Sequence, residues 1–177
     1  MKPGFVASIL LLFCTAVSAQ LPVKGHSQMV SLTGQLPLAA FQQSHVAGAG
    51  LAYSWSPGRF GKAVVNKKIS LLAMGGGDLF FGKNVETAGQ HFSYGSYSHF
   101  YLMAGPLYQT APGLQLSVLG GPGMGLYKGN TELGATALFQ ANYFFNERYA
   151  IAPALQWRKD KNEEALWSLS IRASYAF

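Results

Sequence analysis

The sequence predicts an all-β chain, an eight-stranded antiparallel up-and-down barrel, and three observations predict it. From about residue 28 onward the chain divides into segments of roughly 10–13 residues that alternate in polarity between turn signals, the period-2 pattern of half-buried strands. Helical periodicity is nowhere comparably strong. Hydrophobic residues make up 49 % of the chain and charged residues only 11 %, against roughly 25 % charged in an ordinary soluble domain. So few charges cannot coat a water-exposed surface, and an aromatic content of 14 % excludes disorder.

At 177 residues one domain is expected. Residues 1–19, MKPGFVASILLLFCTAVSA, read as a secretory signal peptide. Lys2 supplies the positive start, Phe5 to Phe13 the apolar run, and Val17-Ser18-Ala19 the small residues before a cut at Gln20. The apolar run is well short of the ~20 residues of a transmembrane helix. Residues 20–177 then form the barrel domain. The single cysteine, Cys14, lies in the leader, and bulky Phe13 before it argues against a lipoprotein cut. The mature chain therefore has neither disulfides nor thiol chemistry. The formal net charge is +6, but the basic residues are scattered, with only Lys67-Lys68 and Arg158-Lys159 adjacent, so no nucleic-acid partner is expected.

The first strand, Gln28 to Leu36, sets Val30 and Leu32 against Ser31, Thr33 and Gln35. After the loop PLAAFQQS, the second strand is His45 to Ser56. There Ala47, Ala49, Leu51, Tyr53 and Trp55 oppose Gly48, Gly50, Ala52 and Ser54. A basic connector, PGRFGKAVVNKK, leads to the third strand, Ile69 to Phe81. Its inward parity holds Ser70 and Asp78 together with Leu72, Met74 and Phe80, a poorer contrast. The longest loop, GKNVETAGQHFSYGSY, precedes the fourth strand, Ser98 to Thr110, whose pattern is ambiguous. The fifth strand, Leu114 to Tyr127, carries Pro122, which argues against a regular ladder there. Lys128-Gly129-Asn130 makes a tight hairpin into the sixth, Thr131 to Phe145. In it Leu133, Phe139, Tyr143 and Phe145 oppose Glu132, Thr136, Gln140 and Asn142. The seventh, Tyr149 to Arg158, sets Tyr149, Ile151, Leu155 and Trp157 against Ala150, Ala152, Ala154, Gln156 and Arg158. A charged loop, KDKNEE, leads to the last strand, ALWSLSIRASYAF, where Trp167 to Phe177 oppose Ser168, Ser170, Arg172 and Ser174.

Alternation alone also fits a secreted soluble sandwich or a lipocalin-like barrel. Four features favour a transmembrane β-barrel. The second face is unusually small, with Gly48, Gly50, Ala52, Ala150, Ala152 and Ala154, as a cramped barrel interior requires. Aromatics gather at strand ends: Tyr53, Trp55, Tyr108, Tyr143, Tyr149, Tyr175 and Phe177 at one rim, Trp157 and Trp167 at the other, like the interface girdles of membrane barrels. The outward parity of the second, sixth, seventh and eighth strands holds no charge. An even strand count closes the sheet without an edge, as lipid demands.

The stretch SLTGQLPLAAFQQSHVAGAGLAYSWS resembles the first hairpin of small outer-membrane β-barrel proteins, a porin-like family of the kind abundant in Bacteroidota. The terminal SIRASYAF resembles the assembly signal that ends such chains. The resemblance implies a place in the outer membrane of a Gram-negative bacterium, with both termini periplasmic. It implies contact with outer-membrane lipid and lipopolysaccharide, and reading of Tyr175 and Phe177 by the barrel-assembly machinery. A monomer is expected, with outer loops near 37–44, 82–97, 128–130 and 159–165.

Chemistry is sparse. His91 and His99 near Glu86 offer at best a loose metal site, the alternative being solvated loop histidines. His91-Phe92-Ser93 has the H-x-S spacing of lipid A deacylases, but no acid lies between Glu86 and Glu132 to orient a base. GMGLYKG and AMGGGD precede no helix, so neither is a phosphate loop. No catalytic, metal or cofactor residues are assigned. Asp78, Glu132, Arg158 and Arg172 take inward parity, and Arg172 is expected to meet interior acceptors or one of the two acids. The expected role is structural or surface-interactive, with at most a narrow pore. A lipid A-modifying enzyme and a barrel subunit of a secretion or assembly complex are the alternatives.

Overall fold

The computed structural model describes residues 26–61, 69–87, 90–161 and 164–177. The expected signal peptide lies outside them. The strands are β1 (His26–Leu38), β2 (His45–Phe60), β3 (Ile69–Gly82), β4 (Asn84–Thr87), β5 (Gln90–Ser93), β6 (Tyr97–Ala111), β7 (Leu114–Tyr127), β8 (Asn130–Phe144), β9 (Tyr149–Asp160) and β10 (Leu166–Ala176). A one-turn helix, α1 (Ala40–Ser44), joins β1 to β2. Eight strands close a barrel in the order β1-β2-β3-β6-β7-β8-β9-β10, every neighbouring pair antiparallel. The short pair β4–β5 forms a separate hairpin on the connection from β3 to β6.

The seam between β1 and β10 runs from Met29↔Ala176 to Leu38↔Trp167. Beyond it the Phe177 N–H donates to the Gln28 carbonyl at 2.9 Å, so the last residue is zipped into the sheet. Closure removes the unpaired edge that hydrocarbon would not tolerate. Both chain ends of the barrel lie at one mouth, the terminal end; α1, β4–β5, the Lys128-Gly129 turn and the β9–β10 connection lie at the other, the loop end.

The barrel strands have 11 to 16 residues, long enough to cross a ~30 Å hydrocarbon layer when tilted. Their outward side is apolar. Ile69, Leu133, Leu32 and Ile171 are 75 %, 70 %, 67 % and 58 % exposed, and Leu51, Leu102, Val118, Phe139 and Leu169 join them. A water-soluble chain of this size does not leave so continuous an apolar surface uncovered.

Inside, the small face belongs to one wall. Gly48, Gly50, Ala52, Ala152 and Ala154 line β2 and β9, while β3, β6, β7 and β8 send Leu72, Met74, Phe80, Tyr97, Tyr101, Met103, Leu107, Leu119, Leu138 and Phe144 inward. The small residues make room for these large ones. A Cβ on Gly48 would meet the Phe80 ring at 2.7 Å, and one on Gly76 would meet the Tyr101 hydroxyl at 2.7 Å. Large side chains therefore occupy the interior, for which the sequence allowed at most a narrow pore. Met29, Leu72, Met74, Met103, Leu107, Leu119 and Leu138 pack the terminal half, and Phe60 stacks on Phe144 across its mouth, centroids 6.4 Å apart.

Several local expectations change. The sequence PGRF belongs to β2 instead of a connector, and this extension is what carries Phe60 into the mouth. Gln115 Nε2 donates to the Arg59 carbonyl at 3.2 Å and helps hold it there. Pro122 does not interrupt β7: the register to β8 runs through Pro122↔Ala135, while the register to β6 skips from Tyr101↔Gly123 to Ala104↔Gly120. The missing proline N–H is thus felt on one side only. At the loop end a bulge between His45 and Ala47 turns His45 inward, against the parity of its strand.

Candidate binding site at the loop end

The upper half of the interior is built around one cation. Arg158 is wholly buried on β9, facing Asp78 of β3 with Nη2 and Oδ2 at 4.0 Å. Its Nη2 also donates to Ser168 Oγ at 2.9 Å and Gln35 Oε1 at 3.2 Å, while Ser168 Oγ donates to Gln35 Oε1 at 3.0 Å. The guanidinium lies 4.3 Å from the Phe80 ring centroid and 5.7 Å from that of Phe41. Gln156 Nε2 donates to Asp78 Oδ2 at 3.2 Å. A buried charge is tolerable only with such partners. Gly50 makes the placement of Asp78 possible, since a Cβ there would overlap the Asp78 carboxylate.

Arg172 also points inward, but deeper, among the apolar residues. Its Nη1 donates to Met74 Sδ at 3.1 Å, and Asp78 is engaged by Arg158 and Gln156 instead. Glu132 lies half-buried at the loop end.

His99 is not a solvated loop histidine. It sits on β6, wholly buried, with Nε2 3.0 Å from Thr136 Oγ1 and its ring stacked between Tyr97 and Tyr101. The shared parity of Tyr97, His99, Tyr101 and Met103 is the sequence signal for this column. His91 lies apart from it, exposed on the β4–β5 hairpin, with Nε2 3.7 Å from Glu86 Oε1. Ser93 is exposed on the same short strand. Among the described residues no cluster of three or more His, Cys, Asp or Glu suits a metal ion.

Above Arg158 the loop end opens into a cavity of about 220 Å³. Phe41 of α1, Tyr97 of β6 and Tyr127 of β7 wall it, with Tyr94 from the loop before β6. Phe41 is held down by Phe80, centroids 4.8 Å apart, and by Tyr97 at 5.9 Å. Glu132 and Asp160 reach it from β8 and β9. The Tyr97 hydroxyl donates to Asp160 Oδ2 at 2.8 Å; Asp160 Oδ1 and Glu132 Oε2 are buried without a hydrogen-bond partner. His45 completes the wall, its Nδ1 2.8 Å from Ser44 Oγ. Sequence reading missed Asp160, which looks like part of the charged KDKNEE loop. Its parity with Gln156 and Arg158 is the signal, because β9 runs two residues further than expected.

The rim aromatics are distributed as follows. At the terminal end Tyr53, Tyr108, Tyr143, Tyr149 and Phe177 are exposed on the outer surface, with Trp55 and Tyr175 half-exposed. Tyr53 donates to Gln28 Oε1 at 2.8 Å, Arg148 Nη1 donates to the Tyr175 hydroxyl at 3.1 Å, and the Tyr149 and Tyr175 rings lie 5.2 Å apart. Toward the loop end Trp157 pairs with Trp167 in register.

No protein-family model and no curated protein sequence matches the chain. Solved structures do. The barrel is similar to Ail, the attachment invasion locus protein of Yersinia pestis, at 13 % identity and a TM-score of 0.58, covering 86 % of this chain and 99 % of that one. It is similar to Neisserial surface protein A at 10 % identity and 0.51, covering 87 % and 98 %. It is also similar to the N-terminal β-barrel domain of Pseudomonas aeruginosa OprF at 13 % identity and 0.50, covering 86 % and 98 %. The chain has the closed, antiparallel eight-stranded barrel fold of small outer-membrane proteins.

Proposed function

We propose that the chain is an integral protein of a Gram-negative outer membrane, with a structural or surface-interaction role and no open channel. One observation carries this reading: the outward apolar surface of a closed barrel whose interior is packed. Such a surface is stable against hydrocarbon and a liability in water. The termini are periplasmic and the loop end faces outward. Tyr53, Trp55, Tyr108, Tyr143, Tyr149, Tyr175 and Phe177 sit at the inner interface, and Trp157 and Trp167 near the outer one. Residues 1–19 are the signal that directs export, and Tyr175 and Phe177 are read by the assembly machinery. The partners are outer-membrane lipid and lipopolysaccharide around a monomeric barrel. The names of two structural neighbours, an attachment invasion locus protein and a surface protein, fit a task at the cell surface. The narrower kinship, with Bacteroidota barrels, rests on SLTGQLPLAAFQQSHVAGAGLAYSWS and SIRASYAF alone.

Gel migration and planar-bilayer recording test the reading together. Purified mature protein should need detergent to stay in solution, migrate differently before and after boiling, and give no steady conductance. A chain that stays soluble in buffer without detergent would overturn the membrane reading; steady single-channel steps would overturn the closed interior.

A further inference from the structure

We propose that the loop-end cavity binds a small organic cation, an ammonium group on a short apolar stem. Two features of the cavity define this chemistry. Its walls are the rings of Phe41, Tyr94, Tyr97 and Tyr127, and its charged groups are the carboxylates of Glu132 and Asp160, with Ser44, His45 and Asn130 as neutral polar neighbours. Aromatic faces attract cations through their quadrupole, and carboxylates accept the ammonium protons. Asp160 is 95 % buried, yet its Oδ1 accepts no hydrogen bond, and neither does the buried Oε2 of Glu132. Buried carboxylate oxygens normally have partners. A ligand with several donors, placed between the rings, would supply them.

The nearby charges point the same way. Arg158 lies beneath the cavity floor, but it is matched by Asp78 and covered by the Phe41 and Phe80 rings. Neither cavity acid has a cation within ion-pair distance among the described residues. One wall already carries a cation on its ring: Lys128 Nζ is 5.3 Å from the Tyr127 centroid. At ~30 Å³ per water, about 220 Å³ amounts to roughly seven waters, which suits a small amine and excludes a folded partner. The space is kept open by Gly125, where a Cβ would overlap the Asp160 carboxylate and come within 2.7 Å of the Tyr97 hydroxyl.

The test is calorimetric titration of the mature protein in detergent micelles with phenethylammonium chloride, 2-phenylethanol as its neutral counterpart, and calcium chloride. Phenethylammonium should bind at one saturable site. The alcohol should bind at least about tenfold more weakly, because it lacks the charge that strengthens hydrogen bonds to carboxylates. Glu132→Gln, a half-buried position, and Asp160→Asn should each weaken the amine by about tenfold or more. Gly125→Ala should abolish binding, whereas Gly34→Ala, with nothing within 4 Å of its new Cβ, should not change it. Heat-modifiable migration verifies that each variant is folded, and the comparison is made among those that are. Absence of saturable amine binding up to about 10 mM would overturn the proposal. So would equal binding of the alcohol, an undiminished affinity in folded Glu132→Gln protein, or calcium binding of the same strength that displaces the amine. The titration reads the cavity in micelles, so its failure leaves the membrane reading standing, and loss of the membrane reading leaves the cavity result standing.

Discussion

Replacing Asp78 by alanine removes the carboxylate that faces Arg158 inside the barrel. Both side chains are wholly buried and their charged atoms are 4.0 Å apart. At that distance and an effective dielectric near 20 the attraction is about 4 kcal/mol. Removing one member of a buried pair typically costs roughly 3–5 kcal/mol, because the other is left charged and unmatched. Arg158 would keep Ser168, Gln35 and the Phe80 ring, so the lower end applies, about 3 kcal/mol, a factor on the order of 10² in the folding equilibrium. The assay is equilibrium unfolding in guanidinium of protein refolded into lipid vesicles, followed by tryptophan fluorescence. Arg158→Met should cost a similar amount, and Asp78→Ala with Arg158→Met clearly less than the two single changes combined. An Asp78→Ala variant within about 1 kcal/mol of the parent, as for an exposed pair, would refute the reasoning. So would strict additivity of the double variant.

Three further outcomes are expected. Gly123→Ala pushes a Cβ to 2.5 Å from Thr136 Oγ1 and 2.6 Å from His99 Nε2, so it should break their hydrogen bond and cost about 1–3 kcal/mol in the same assay. Phe60→Ala and Phe144→Ala should each cost roughly 3–5 kcal/mol, the pair together less than the sum because the rings stack on each other. His91→Ala and Ser93→Ala should leave the lipid A acylation pattern of cells unchanged by mass spectrometry, since both residues stand exposed on the β4–β5 hairpin and His91 faces Glu86.

The legible parts of this chain are those where neighbours in sequence compete for opposite faces. In β9 and β10 the contrast of Ile151, Leu155, Leu169 and Ile171 with Ala152, Ala154, Ser168 and Ser170 sets both strand and side, and the structure keeps that division throughout. In β3 and β6 the contrast is poorer, because many inward residues are as apolar as the outward ones, yet in β3 the expected inward parity holds. Leu72 and Met74 pack the core while Leu71 faces out, and only Ser70 and Asp78 mark their parity as the inward one. His45 and Asp160 were hidden for another reason: a bulge and two extra strand residues, both set by pairing with distant strands, turn them into the interior.

Sequence by itself determined the number of long strands, their antiparallel order and the apolar outer face, because these follow from alternation and turn chemistry within each hairpin. It also placed Asp78, Arg158 and Arg172 on the inward side. Only the tertiary structure decided what the inward residues do to one another. Small residues of β2 face large ones of β3 and β6, and that complementarity fills the interior instead of opening it. Arg158 meets Asp78 across 80 residues of chain, and Glu132 meets Asp160 at one mouth, only when the β1–β10 seam has closed the cylinder. Alternation assigns a side to a residue, whereas the height and angle at which it faces another wall depend on closure of the whole sheet.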